Sequence, residues 1–235
     1  MSSAKGMAMI RAPRPVRRPT AVIFDMDGLM LDTERLAPQA WEDASARMGV
    51  AFDMTLLPLM VGRNFRDCQS LIVERHGPDY PTAALMQAWH VAYDAIVERD
   101  GIAIKAGLHD LLDWLDAEGI PKAVATSTRR DRAQAKLAQT RLLDRFVALV
   151  GGDEIAHGKP APDIFLLAAQ RLAHAPETIV VFEDSEPGVR AALAAGMTPI
   201  MVPDLHPPSA DLLALEPLVV PSLAHAHAHL APLPR

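Results

Sequence analysis

The sequence predicts an α/β fold: a doubly wound parallel sheet, helices on both faces, and an α-helical domain inserted after the first strand. Three observations carry this expectation. From Thr20 onward, short apolar or β-branched runs alternate with helical patterns, the signature of a parallel sheet covered by helices. The alternation breaks once, in residues 34–104, which contain helical patterns and no convincing strand. Half of the 235 residues are apolar and 22% are charged, enough to bury a sizeable core without disulfides or a structural metal.

Residues 1–19 read as a basic, disordered leader outside the fold. Lys5, Arg11, Arg14, Arg17 and Arg18 come without a single acid there, and Pro13, Pro15 and Pro19 would interrupt the amphipathic helix of a transit peptide, the alternative reading. The first strand is expected at Ala21–Asp25. The inserted helical domain, 34–104, joins the core near Thr33 and Lys105. Its clearest helix, Thr82–Arg99, places Leu85, Trp89, Ala92, Tyr93 and Ile96 on one face, so Trp41, Trp89 and Tyr93 are read as its core.

Helix Leu108–Glu118, stopped by Gly119, then leads to strand Lys122–Thr126 and helix Arg129–Thr140. Strand Phe146–Val150, helix Pro162–Ala173 and strand Ile179–Glu183 follow. Helix Pro187–Ala195, stopped by Gly196, and strand Pro199–Val202 complete five strands, with Leu218–Val220 a candidate edge strand. Residues 20–33 and 105–235 thus form the α/β core.

A net charge of −6 and a pI near 5.8 argue against a nucleic-acid-coating protein, and no apolar run approaches the roughly 20 residues of a membrane span. The single cysteine, Cys68, cannot form an internal disulfide. It is read as an inert residue in a protein of a reducing cytoplasm, a monomer or weak homodimer.

The chemistry gathers where strands end. Val22–Phe24 runs straight into Asp25, Met26, Asp27 and Gly28; taken alone, this is as readily a solvated acidic turn. An EF-hand fits poorly, because Gly28 stands fourth and Leu36 twelfth in the loop. The second strand delivers Thr126 and Ser127, and the fourth delivers Glu183 and Asp184. Lys159 lies in the loop before the Pro162 helix. Singly these residues could be helix caps or loop charges, but ligands bind beyond the carboxyl ends of parallel strands, where all of them converge. Two carboxylates about 5 Å apart repel by roughly 3 kcal/mol at an effective dielectric of about 20. Asp25, Asp27 and Asp184 therefore call for a cation, and hard oxygen ligands that share a substrate phosphate suit Mg²⁺.

The segments DMDGLMLDT (25–33), ATST (125–128), GKPAPDIF (158–165) and FEDSEPGV (182–189) resemble the haloacid dehalogenase-like phosphohydrolases, in the branch shared by capped phosphatases and β-phosphoglucomutase. The resemblance covers about Thr20 to Val202 and implies a Rossmann-like core with a helical cap. It implies that Asp25 is the nucleophile forming an aspartyl-phosphate, and Asp27 the general acid and then base. Thr126, Ser127 and Lys159 would bind phosphate. Mg²⁺ would be held by the Asp25 side chain, the Asp27 backbone carbonyl and Asp184, with Glu183 supporting. Arg63 and Asn64 would read the substrate from the cap.

Asp27 argues against a dehalogenase, and the absence of lysine from residues 34–104 argues against a phosphonatase. A mutase is disfavoured because Ala37 and its neighbours offer no histidine after the DxD motif. The expected activity is a phosphatase acting on a small phosphorylated metabolite, a sugar phosphate or phospho-hydroxy acid. A receiver-type signalling domain would lack the helical insertion, and a catalytically dead homologue would lack some of these acids, hydroxyls and lysine. His225, His227 and His229 are not read as a metal site, because only His225 and His229 would share a helical face.

Overall fold

The computed structural model describes residues 17–233. Six strands form one sheet: β1 (Ala21–Phe24), β2 (Lys122–Ala125), β3 (Ala148–Val150), β4 (Ile179–Glu183), β5 (Thr198–Met201) and β6 (Leu218–Val219). Their order is β3-β2-β1-β4-β5-β6, and every pairing is parallel. Because side chains alternate along a strand, Val22 and Phe24 enter one core while Ala21 and Ile23 enter the other. The first core is closed by α5 (Leu108–Ala117), α6 (Arg130–Gln139) and α10 (Leu223–Leu230), through Leu111, Leu137 and Leu223. The second is closed by α7 (Asp163–Leu172) and α8 (Glu186–Ala194), through Phe165, Ala168 and Ala191. Burial on both faces explains why the strands read as continuous apolar runs. β1 lies between β2 and β4, so the winding reverses there and opens a crevice at the carboxyl end of β1.

The inserted segment carries α1 (Ala37–Met48), α2 (Leu57–Met60), α3 (Phe65–His76) and α4 (Thr82–Asp100), with a core of its own built on Trp41, Leu56, Ile72, Leu85 and Met86. The two connecting segments run side by side: Asp32 N donates to Ala103 O (2.9 Å), Lys105 N to Met30 O (2.9 Å), and Leu31 and Ile104 form an antiparallel bridge. This helical layer rests on the core through Ser127 Oγ, which donates to Gly62 O at 2.8 Å, and through an Arg132–Asp94 ion pair.

Several expected boundaries move. Asp25 and Thr126 stand one residue past their strands, yet each amide still donates to a neighbouring strand, Asp25 N to Phe182 O and Thr126 N to Val150 O, both at 3.0 Å. β3 starts at Ala148 instead of Phe146, because a 3₁₀ turn at Leu143–Arg145 delivers the chain late and Phe146 instead packs edge-on against Phe24. β5 starts and ends one residue earlier than expected. Residues 1–16 of the basic leader lie outside the described residues. Arg18 and Pro19, assigned to that leader from the sequence, instead sit on the core, where Arg18 pairs with Glu118 and lies over the Trp114 ring. A short helix, α9 (Ala210–Leu213), lies between β5 and β6, and the C-terminal histidines belong to α10: His225 Nδ1 lies 2.8 Å from Ser222 Oγ and the His227 ring packs on Trp114. Among the described residues, no helix is long and apolar enough to cross a membrane.

Candidate active site

The carboxyl ends of β1, β2 and β4 bring Asp25, Asp27, Thr126, Glu183 and Asp184 to one crevice. Lys159 reaches it from the loop before α7, its side chain completely buried. Lys159 Nζ donates to Asp25 Oδ1 and to Glu183 Oε1, both at 2.5 Å, and lies over the Phe165 ring. Glu183 is fixed in turn by Ser185, whose amide (3.0 Å) and hydroxyl (2.9 Å) both donate to Oε2. Ser185 also caps α8, with its Oγ accepting from Gly188 N. This leaves Asp184 free of the capping role the sequence allowed it. A Cβ at Gly188 would stand 1.8 Å from Glu183 Oε1, so only glycine leaves room for this carboxylate.

Burial pushes the Asp25 carboxyl up to about 8; Glu183 and Asp27 add to the rise, and Lys159 opposes it. Asp184 is raised well above the usual carboxylate range by burial, then by Glu183 and Asp25. Its Oδ2 would lie 2.2 Å from a Cβ at Gly28, whose φ of +82° is in any case the province of glycine. Lys159 thus bonds both Asp25 and Glu183, and it also opposes the rise of Asp184. Among the described residues, no three His, Cys, Asp or Glu side chains converge as a ready metal cage. The donor set nevertheless fits Mg²⁺, which takes one or two carboxylates and completes its shell with other oxygens.

Asp27 is held quite differently. Its Oδ1 accepts from Lys136 Nζ at 2.6 Å and from Thr33 Oγ1 at 2.9 Å; its Oδ2 accepts from Thr128 Oγ1 at 2.7 Å. Burial alone would raise this carboxyl, but Lys136, Thr128 and Thr33 together hold it below the usual range. Lys136 also lies over the Tyr93 ring of α4, 5.0 Å from its centroid. Glu34 is pushed up to about 7 by burial and then by Asp27.

Ser127 and Asn64 make contacts that the sequence did not lead one to expect. Ser127 is turned to Gly62 O and so joins the two domains, while Thr126 approaches Asp27 Oδ2 only at 3.4 Å. Neither caps α6, whose Arg130 N is taken by Asp153 Oδ1 at 2.7 Å. Asn64 does not face the crevice: its Oδ1 caps α3 by accepting from Asp67 N at 2.9 Å. Arg63 does face it, and so do Trp41, Trp89 and Tyr93, which the sequence assigned to the interior of the helical domain alone. Sequence reasoning missed Lys136, Thr128, Thr33 and Glu34. Lys136 carried a signal, since it stands between the buried Ala133 and Leu137 on the apolar face of α6, an unusual place for an unpaired lysine.

A family model described as haloacid dehalogenase-like hydrolase matches residues 19–196. The chain belongs to this family of enzymes, and its sheet with an inserted helical cap is the family's fold. A mitochondrial (DL)-glycerol-3-phosphatase 1 of Arabidopsis thaliana is 38% identical over 199 residues, which cover 79% of this chain and 64% of that protein. The chain thus spans less than two thirds of that relative. Fructose-1-phosphate phosphatase YqaB of Escherichia coli is 34% identical over 185 residues, covering 79% of this chain and 97% of the relative. Among solved structures, CbbY from Rhodobacter sphaeroides in complex with phosphate aligns with a TM-score of 0.77 at 28% identity, covering 91% of this chain and 99% of that one.

Proposed function

We propose that the protein is a Mg²⁺-dependent phosphatase that hydrolyses a small phosphomonoester through an aspartyl-phosphate on Asp25. The observation that carries this reading is the convergence at one strand-end crevice of Asp25, Asp184 and the buried Lys159, which bonds Asp25 and Glu183, with Asp27 two residues further on held by Lys136 and two threonines. The relatives named as glycerol-3-phosphate and fructose-1-phosphate phosphatases support the reaction class.

In this reading Asp25 attacks phosphorus. Asp27 gives a proton to the departing alkoxide and then takes one from the water that hydrolyses the aspartyl-phosphate. Lys159 and Thr126 border the place where phosphoryl oxygens gather negative charge, and Glu183 fixes the lysine there. Mg²⁺ would be held by Asp25, the Asp27 backbone carbonyl and Asp184; when bound, it supplies the positive charge that the phosphate and the crowded acids require. The helical cap excludes water from the crevice. The lone Cys68, buried and with its thiol pushed up to about 12, suits a reducing cytoplasm, where we place this enzyme as a monomer or weak homodimer.

Release of inorganic phosphate from a panel of phosphate esters, with and without Mg²⁺, tests the reading. Asp25→Asn should abolish turnover without changing the circular dichroism spectrum. A phosphosugar mutase is the competing activity. ³¹P NMR of β-glucose 1-phosphate with a trace of glucose 1,6-bisphosphate separates the two: rapid glucose 6-phosphate formation without comparable inorganic phosphate overturns the phosphatase.

A further inference from the structure

Above Asp25 and Asp27 the crevice widens into a cavity of about 430 Å³ between core and cap, within the range of roughly 300–1,000 Å³ that accommodates drug-sized ligands. Its floor is polar, formed by Asp25, Asp27, Thr33 and Thr126. Its far wall is apolar and comes from the cap: Trp41, Met54, Leu57, Met86 and Trp89. The aromatic rings form a continuous surface. Trp89 lies 5.5 Å from Trp41 and 5.0 Å from Tyr93 between centroids, and Phe65 stacks on His90 at 5.4 Å with an interplanar angle of 11°.

A polyol phosphate would set hydroxyls against this apolar cap wall, which wastes their hydrogen bonds. The cap side contributes Glu34, Arg63, His90 and Tyr93 as polar groups, and two of them carry buried nitrogens with no hydrogen-bond partner among the described residues, Arg63 Nε and His90 Nδ1. Buried donors and acceptors rarely stay unpaired, so these two mark where an occupant's polar edge would end. Arg132, which also lines the cavity, is already committed to Asp94. Phe65, although apolar, is 40% exposed at this cavity, and an occupant would remove that surface from water.

Building on the phosphatase reading, we propose that the substrate is a phosphomonoester whose leaving alcohol carries an aromatic ring. The phosphate sits at Asp25, the ring lies against Trp89 and Phe65, and its polar edge faces Arg63 Nε and His90. This redirects the expectation of a sugar phosphate or phospho-hydroxy acid, because the cap wall facing the leaving group is built chiefly of Trp41, Met54, Leu57, Met86 and Trp89.

The test compares kcat/KM for phosphate release from ethyl phosphate, glycerol 3-phosphate, 2-phenylethyl phosphate and 2-(pyridin-3-yl)ethyl phosphate, all primary alkyl esters in which the ring is insulated from the reacting oxygen. Both ring-bearing esters should exceed ethyl and glycerol phosphate by about tenfold or more, the gain expected when a ring leaves water. Phe65→Ala, at a half-exposed position that leaves the cap interior intact, should reduce that advantage at least about threefold with an unchanged melting temperature. Ring-bearing esters no better than ethyl phosphate would overturn this inference and leave the phosphatase standing. Failure to hydrolyse any of the four would overturn both.

Discussion

Replacing Lys136 with methionine keeps the stem that packs beside Tyr93 and deletes the ammonium 2.6 Å from Asp27 Oδ1. Unit charges about 4 Å apart interact by roughly 4 kcal/mol at an effective dielectric of about 20, an upper bound before solvent and relaxation are counted. Asp27 keeps its bonds from Thr33 and Thr128, so the net loss is one charge-assisted hydrogen bond to a largely buried carboxylate, about 1.5–3 kcal/mol. If that bond is what holds the Asp27 carboxylate aimed at the attacking water, its loss slows hydrolysis of the aspartyl-phosphate by about 10- to 150-fold. The sign of the pH effect follows from the same contact. Lys136 lowers the Asp27 carboxyl, so without it Asp27 keeps its proton to higher pH, and the acid limb of kcat moves upward. Phospho-enzyme should accumulate in rapid-quench experiments, because near the raised titration range less of Asp27 is ionised to accept the water's proton while more of it is protonated to serve the leaving group. Lys136→Arg should recover part of the rate by restoring the charge. Wild-type kcat with an unmoved acid limb in a folded Lys136→Met protein would refute the reasoning.

Two further perturbations probe the same frame. Gly28→Ala puts a Cβ 2.2 Å from Asp184 Oδ2 at a φ of +82°, so it should weaken Mg²⁺ activation by more than about tenfold; a titration of activity against Mg²⁺ reads this. Glu154 links β3 to two helices through Arg171, Arg130 and the Gly151 amide; against the opposing effect of burial, these hold it down to about 2. A depressed carboxyl stabilises the fold above its unfolded pKa of about 4.3 and loses that contribution as pH falls toward 2. Glu154→Gln should therefore lower the melting temperature at pH 7 and converge on the wild type near pH 2.5, with equal losses at both pH values contradicting the assignment.

What the sequence revealed and what it hid divide along a physical line. Strands buried on both faces must be apolar, and they end where polar residues begin; β1, β2 and β4 therefore announced Asp25, Thr126 and Glu183 directly. Lys136 was half hidden: its place on the apolar face of α6 set it apart, but its partner Asp27 lies more than a hundred residues away in the chain, a pairing no local pattern encodes. Asn64 was legible in another sense: Asn64 followed by Asp67 is a helix-capping pattern, and the structure uses it as one. Trp41 and Trp89 were half legible. Their helical spacing correctly placed them on inward faces, but periodicity cannot distinguish a core from the wall of a cavity.

The central claim is that Asp25 carries the phosphoryl group. Asp27→Asn enzyme, able to be phosphorylated by an activated aryl phosphate but slow to hydrolyse the product, should be acid-quenched after mixing and reduced with borohydride, which converts an aspartyl-phosphate to homoserine. Peptide mass spectrometry should find homoserine at position 25 and nowhere else. Homoserine at another acid, or an unmodified position 25 in an enzyme that still releases phosphate, would contradict the account.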